Sequence, residues 1–381
     1  MIKMNNIPII GSLIFVGDVF LNKGDTIHID KEILRYFHSC DIRSCNIEAP
    51  LESDIPAVVK AGPTLQQSKV VVKEMERNGF NLVCLANNHI MDHGKEALVS
   101  TLDTWHIPCI GAGMDWYQAT RPYIVEIGKM KVGFMAFGEA EFGAIIEDSD
   151  AGFAWVNHPD TNHIIRQAKK ECDILILQIH AGVELVDLPL PEWRRRYKEL
   201  IDCGADAIVA THPHIPQGWE MYKGHPIFYS LGNFFFNTDH THPFWNKGLV
   251  ALINIHEDKS LSIEVKGVQR QGNTIQAWED EEFHNHTNTL CHKIQESDYE
   301  NNVNLMAVDL WNRVYRRHYE NGINGVSSWN LVHLMKFVKR LFVRKALDIP
   351  MLLHNTRIES HHWIVVRALN QIYKKQLNHG K

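Results

Sequence analysis

Short apolar runs separated by amphipathic stretches fill residues 10 to 270. The runs "SLIFVGD", "IRSCNIE", "NLVCLANN", "IPCIGAG", "DILILQIH", "DAIVATHPH" and "IFYSLGN" read as strands. Each is too short for a buried helix and is bounded by turn residues. Between them, "SKVVVKEMERNG" and "NHIIRQAKKEC" carry apolar residues at helical spacing, and Gly79 is a natural stop for the first. Strand–helix alternation of this kind predicts an α/β architecture. Two regions predict antiparallel pairs that make the sheet mixed: "YIVEIGKMKVGFMAFG", turning at Gly128–Lys129, and residues 248–272, turning at Glu257 to Ser260.

The pattern changes near Asn273. "NTIQAWEDEEFHNHTNTL" is polar and acidic and reads as a connector, followed by helical segments. The expected organisation is an α/β domain over 1–275, a polar linker over 276–290 and a helical extension over 291–381. Charge sharpens this division. The chain carries a net charge of −6, which argues against a general nucleic-acid binder. From Asn301 onward, however, 13 Lys and Arg stand against 4 Asp and Glu. Within that basic extension, "WNLVHLMKFVKRLFVRKAL" places His333, Lys336, Arg340 and Arg344 opposite Leu334, Val338, Leu341 and Phe342, with Lys345 breaking the apolar face. Such a helix either packs on the preceding domain or lies on an anionic membrane surface or a synthase.

The seven cysteines form no C-x-x-C pair, and several sit in apolar runs, so free buried thiols are expected rather than disulfides. The N-terminal residues lack a signal-peptide pattern, and no stretch reaches the ~20 apolar residues of a spanning helix. The expected location is cytoplasmic, with peripheral membrane contact as the alternative.

Candidate chemistry lies at the strand ends. Successive apolar runs end on Asp18; on Asn46 and Glu48; on Asn88 and His89; on His180 and Glu184; and on His212 and His214. Singly, each has a plain reading: a turn aspartate, a surface carboxylate, an asparagine cap, a core histidine. Together they place carboxylate, carboxamide and imidazole where open α/β sheets form their sites. That donor set suits Mn²⁺, Fe²⁺ or Zn²⁺, and its size suits two ions.

In order, "FVGDVFL", "NIEAPL", "LANNHIMDHG", "QIHAGVE", "THPHIPQGWE" and "YSLGNFFF" resemble the motifs of the CapA family of capsule or poly-γ-glutamate biosynthesis proteins. That family is similar to the calcineurin-like metallophosphoesterases. The resemblance covers residues 10 to 270 and implies a four-layer αββα sandwich of two mixed sheets with a dinuclear site at one edge. It implies Asp18 and His214 on one ion, Asn88, His180 and His212 on the other, and Glu48 bridging. His89 would protonate the leaving group, supported by Asp92, and a metal-bound hydroxide would be the nucleophile. Glu184 would support a ligand histidine, and Asn233 and Gly232 would shape the floor. Phe20 stands where most of the superfamily has a histidine ligand. The implied function is a phosphoesterase-type hydrolase acting on a phosphoester or anionic polymer in envelope-polymer biosynthesis. The alternatives are an amide hydrolase or transferase acting on poly-γ-glutamate, and a non-catalytic accessory protein that binds the polymer or its synthase.

Overall fold

The computed structural model describes residues 7–324, 331, 332, 334, 335, 338 and 348–379. Two mixed β-sheets share one apolar interior. Numbered along the chain, the first holds β1 (Ile9–Phe20), β2 (His28–Ile29), β3 (Ile42–Ile47), β4 (Leu82–Cys84), β5 (Cys109–Ile110), β14 (Asn233–Phe236), β15 (Lys247–His256), β16 (Leu261–Gln271) and β17 (Thr274–Ala277). The second holds β7 (Tyr123–Ile127), β8 (Met130–Gly138), β10 (Ile174–His180), β11 (Ala207–Thr211), β12 (Trp219–Tyr222) and β13 (His225–Phe228). A small ribbon pairs β6 (Ala112–Gly113) with β9 (Gly152–Phe153).

Strand composition follows from burial on both faces. In β10, Ile174 and Ile176 face the core between the sheets, whereas Leu175, Leu177 and Ile179 face a second core beneath helices. The same alternation runs through Ala207–Ala210 of β11 and Val132–Phe137 of β8. A parallel strand covered on both faces reads as a continuous apolar run. A short α4 (Trp116–Ala119) joins the core of the second sheet, which helices α5 (Thr161–Glu171) and α6 (Pro191–Asp202) cover, α6 opening on Pro191 and burying Trp193, Tyr197, Leu200 and Ile201. Helices α1 (Lys31–His38), α2 (Val70–Arg77) and α3 (Gly94–Thr104) pack on the first. The result is the expected αββα layering, and both expected hairpins form, β7–β8 and β15–β16.

Residues 276–290 do not form the expected polar linker. Ala277 ends β17, and α7 (Glu281–Gln295) begins where the Asp280 carboxylate accepts a hydrogen bond from the Phe283 backbone N–H at 3.0 Å. Acidic and amide residues fill the exposed face of α7, hiding the stripe Phe283, Thr287, Leu290 and Ile294 that it buries. Beyond it, α8 (Tyr299–Leu310) leads through a π-helical turn (Trp311–Tyr315) into α9 (Arg316–Asn324). After these come α10 (Ile349–Arg357) and α11 (Glu359–His379). Val303, Ala307, Tyr315, Ile364 and Ala368 join the core under the second sheet. Arg367 grips Glu192 of α6 through paired bonds of 3.0 and 2.7 Å. Of the expected amphipathic helix, Leu334 and Val338 are helical and 43% and 46% exposed, whereas His333, Lys336, Arg340, Leu341, Phe342, Arg344 and Lys345 lie outside the described residues. Among the described residues no helix is long and apolar enough to cross a membrane.

Helix α6 is tied to β12 by charge. Glu220 receives Arg194 at 2.7 and 2.9 Å, Lys198 at 3.1 Å and the Tyr229 hydroxyl at 2.6 Å. Burial alone would raise the Glu220 carboxyl, but these partners hold it at about 2. Unfolded, it titrates near ~4.3, so its contribution is complete above that pH and is lost as pH falls toward 2. Glu220→Gln is expected to cost about 2–4 kcal/mol at neutral pH and to flatten this acid limb, as read by urea unfolding between pH 6 and pH 2.

Candidate metal centre

Six parallel strand ends converge at one edge of the two sheets. β1 brings Asp18; β3 brings Asn46 and, one residue on, Glu48; the turn after β4 brings Asn87, Asn88 and His89. From the second sheet, β8 leads into Glu139 and Glu141, β10 ends on His180, and β11 leads into His212 and His214. Asn233 opens β14 directly beside Asp18. All these side chains are buried.

The seam depends on two glycines. A Cβ on Gly17 would meet the Gly232 carbonyl at 1.8 Å, so "FVGD" and "SLGN" pack backbone to backbone. Gly232, at φ +67°, returns its carbonyl to the Asp18 N–H at 3.0 Å. β1 shifts register at this point, which aims the Asp18 carboxylate at the second sheet. There Asp18 Oδ2 accepts from the His212 backbone N–H at 3.2 Å and lies 3.4 Å from His214 Nδ1. Four of the six non-glycine residues with positive φ among the described residues sit here: Ala49 (75°), Leu185 (59°), His212 (99°) and His214 (60°). Strain of this kind collects where side-chain aim matters more than backbone comfort.

At the centre, His180 Nε2 has Asn88 Oδ1 at 3.1 Å, His212 Nδ1 at 3.0 Å and Glu48 Oε1 at 3.5 Å. A single ring nitrogen carries at most one hydrogen, so it cannot donate to both facing oxygens. Glu48 Oε1 is buried and has no hydrogen-bond partner. Converging, under-satisfied lone pairs of imidazole, carboxamide and carboxylate are what a divalent cation of intermediate hardness requires, so the residues fit a metal. Asn46 Nδ2 spans the two carboxylates, donating toward Asp18 Oδ1 and Glu48 Oε2 at 2.7 Å each. Asn87 ties the turn to β3 by donating to the Ile47 carbonyl at 2.8 Å. Gln67 clips both strand ends, accepting from Leu21 N–H and donating to the Glu48 carbonyl.

Electrostatics follow from four carboxylates buried together. Burial and the neighbouring Asp18 charge raise Glu48 to about 8. Burial would lower His212 and His214, yet Glu141 lifts the first to about 10 and Asp18 the second to about 9. Burial and the His212 charge keep His180 well below its ordinary value, leaving a neutral imidazole, the form that binds metal. A cation taken up here competes with protons for the same lone pairs, so binding releases protons.

Beside the centre, His89 Nδ1 meets Asp92 Oδ2 at 2.6 Å. The same oxygen accepts from Leu65 N–H at 2.7 Å, and Lys60 Nζ pairs with Asp92 Oδ1. Thus Asn88, His89 and Asp92 share one tight turn, before α3 rather than within it. Glu184 makes no hydrogen bond to a ligand histidine among the described residues, although its charge helps to raise His212 and His214. It is exposed, because the chain turns away from His180 through Gly182 (φ 137°) and Leu185. Thr211 Oγ1 at 3.1 Å takes that place. His212 is instead met by Glu141, 3.2 Å from Nε2, which also accepts from Asn88 Nδ2 at 3.2 Å. The run "MAFGEAEFG" carries the same strand-end signal for Glu139 and Glu141, at the end of the second strand of the β7–β8 hairpin. Glu359 and Ser360 carried no local signal. Ser360 donates to both Glu139 oxygens at 2.8 and 2.9 Å, and Glu359 accepts from the Ala140 N–H at 2.9 Å.

Fold and site together define a two-sheet α/β sandwich with a buried carboxylate–carboxamide–histidine cluster, fit to hold metal, at the ends of its parallel strands. Residues 12–238 match the family of the bacterial capsule synthesis protein PGA_cap, and the chain belongs to that family. It is 29% identical to the capsule biosynthesis protein CapA of Bacillus anthracis over 59% of this chain and 60% of that protein. To the PGA biosynthesis protein CapA of Bacillus subtilis it is 34% identical over 45% and 47%. A probable polyglutamine synthesis accessory protein of Mycobacterium tuberculosis is 29% identical over 40% and 44%. The chain therefore aligns with about half of the length of these relatives. Among solved structures, a novel phosphatase from Mycoplasma pneumoniae overlaps at TM-score 0.44 and 14% identity, over 73% of this chain and 99% of that one. An overlap this loose carries no functional argument.

Asn46→Ala would leave the Asp18 and Glu48 carboxylates facing each other without the amide. In excess chelator it is expected to cost about 3 kcal/mol of stability, read by urea unfolding.

Proposed function

We propose that this chain is a metal-dependent hydrolase of the phosphoesterase type, acting in the biosynthesis of capsule, poly-γ-glutamate or a related anionic envelope polymer. The observation that carries the reading is the convergence of Glu48, Asn88 and His212 on His180 Nε2, next to the His89–Asp92 pair. Glu48, Asn88, His180 and His212 would hold one divalent ion, and Asp18, Glu48 and His214 the other; Mn²⁺, Fe²⁺ or Zn²⁺ suits these donors. When bound, such ions acidify water and neutralise phosphoryl charge. The chain's own contribution is orientation and a proton. Asp92, fixed by Lys60 and the Leu65 N–H, holds His89 by Nδ1 and leaves Nε2 to deliver a proton to the leaving oxygen. Asn233 Oδ1, 2.9 Å from His214 Nδ1, sets the tilt of that ring.

One observation favours a second reading, a non-catalytic accessory protein that binds the polymer. Phe20 stacks on Phe236 with ring centroids 5.1 Å apart, in an apolar cluster with Ala49 and Trp245. An aromatic ring thus stands where the first-motif histidine would, and an ion held by Asp18 and His214 would have one ligand fewer.

The two readings separate on a generic phosphodiester with Mn²⁺. Chelator is expected to abolish turnover, and His89→Ala to lower kcat by about 10²–10⁴ at unchanged metal content per chain. His180→Ala is expected to lose metal. Turnover that is absent, or unaffected by His89→Ala, points to the accessory role.

A further inference from the structure

Directly against His89 lies a cavity of about 560 Å³ whose inner end is formed by Asn88, His89 and Glu141. That size suits a small-molecule guest. Its walls are mainly apolar. Phe142 and Val183 come from the part of the chain that matches the family, and Leu310, Val314, Met351 and Ile358 come from the C-terminal helices beyond it. Val314 and Leu353, 38% and 47% exposed, are among the lining residues, so their exposure is toward a shaped space rather than scattered over the surface.

The charges along this cavity cancel. Two cationic side chains, Lys60 and Arg357, and two carboxylates, Glu141 and Glu184, line it, and Lys60 pairs with Asp92. Three imidazoles, His318, His354 and His361, line it as well. Burial holds His361 down at about 4 and lowers the other two, so they add no charge at neutral pH. A polyanion would find no net cationic attraction here, whereas an aliphatic chain would remove apolar surface from water.

The geometry points to an ester of phosphate with a linear aliphatic alcohol as the substrate, its phosphate at the metal centre and its alkyl chain in this cavity. The inference rests on the hydrolase reading: the group His89 protonates is the leaving alcohol, and the space His89 borders is apolar. Water attacks phosphorus, the bond from phosphorus to the alkyl oxygen breaks, and that oxygen takes the His89 proton. The products are the alcohol and inorganic phosphate.

The test uses the full chain with Mn²⁺ and ethyl, butyl, hexyl and octyl phosphate, following phosphate release. The expected result is a rise in kcat/KM of about threefold to fourfold per methylene until the cavity is filled. Met351→Glu and Val314→Glu are expected to flatten the series, and Met351→Leu to retain it. Calorimetric binding of ethyl and octyl phosphonate, which do not turn over, separates the two readings. Octyl phosphonate binding at least tenfold tighter, with the difference lost in Met351→Glu, supports the cavity even where no ester is hydrolysed; the hydrolase reading then falls alone. Turnover independent of chain length, or equal binding of the two phosphonates, overturns the cavity assignment.

Discussion

The close approach of Gly17 to the Gly232 carbonyl is the constraint on which the site depends. With any side chain at Gly17, β14 could not lie against β1, and the Asp18 N–H would lose its partner. The same crossing stitches the sheets together. Leu231 donates to Ala210 at the end of β11 and accepts from Leu249 in β15. Asp18 then reaches across to the His212 backbone. Two apolar sheets with no reason to fix their mutual register are thereby pinned where their polar ends meet.

Pinning is needed because the arrangement opposes itself. Asp18, Glu48, Glu139 and Glu141 are all buried, and carboxylates brought together out of water disfavour one another's ionisation. The structure resolves this by division. Glu141 takes His212 and is drawn down to about 2 despite its burial, whereas burial and the Glu141 charge push Glu139 up to about 8. Glu139 is then spent on backbone donors at Gly182 and Ser360. The left-handed φ values of His212 and His214 keep both rings aimed into this region, and the surrounding hydrogen bonds hold that strain in place.

Much of this was legible in the sequence because the rule is local. An apolar strand that runs straight into His, Asn or a carboxylate identifies both an element and a site residue, and Asp18, Glu48, Asn88, His180, His212 and His214 do come together. What escaped was governed by distance or by competing signals. Residues 276–290 read as a linker because acidic and amide side chains outnumber the four-residue stripe that α7 buries. Glu184, four residues past His180 at the same strand end, read as a support for a ligand histidine, yet positive φ values at Gly182 and Leu185 turn the chain aside. Asn46 and Asn87 are adjacent to obvious motifs, but their work consists of spanning carboxylates and clipping turns, which no periodicity reveals.

The C-terminal helices are the part of the molecule least predictable from the motifs, and they are physically joined to the centre. Ser360, at the start of α11, bonds Glu139, and its hydroxyl also accepts from the Trp193 indole at 2.7 Å. Glu359 secures the Ala140 N–H, the Trp155 indole and the Asn157 amide. The loop that carries Glu139 and Glu141 is thus held from outside the strands by residues more than 200 positions away. The same helices wall the cavity in front of His89. The strands therefore set the donors that the cluster offers, and the helices set both the stiffness of one side of it and the space beyond it. Change in the helices can alter what the centre admits while leaving the strand-end donors where they are.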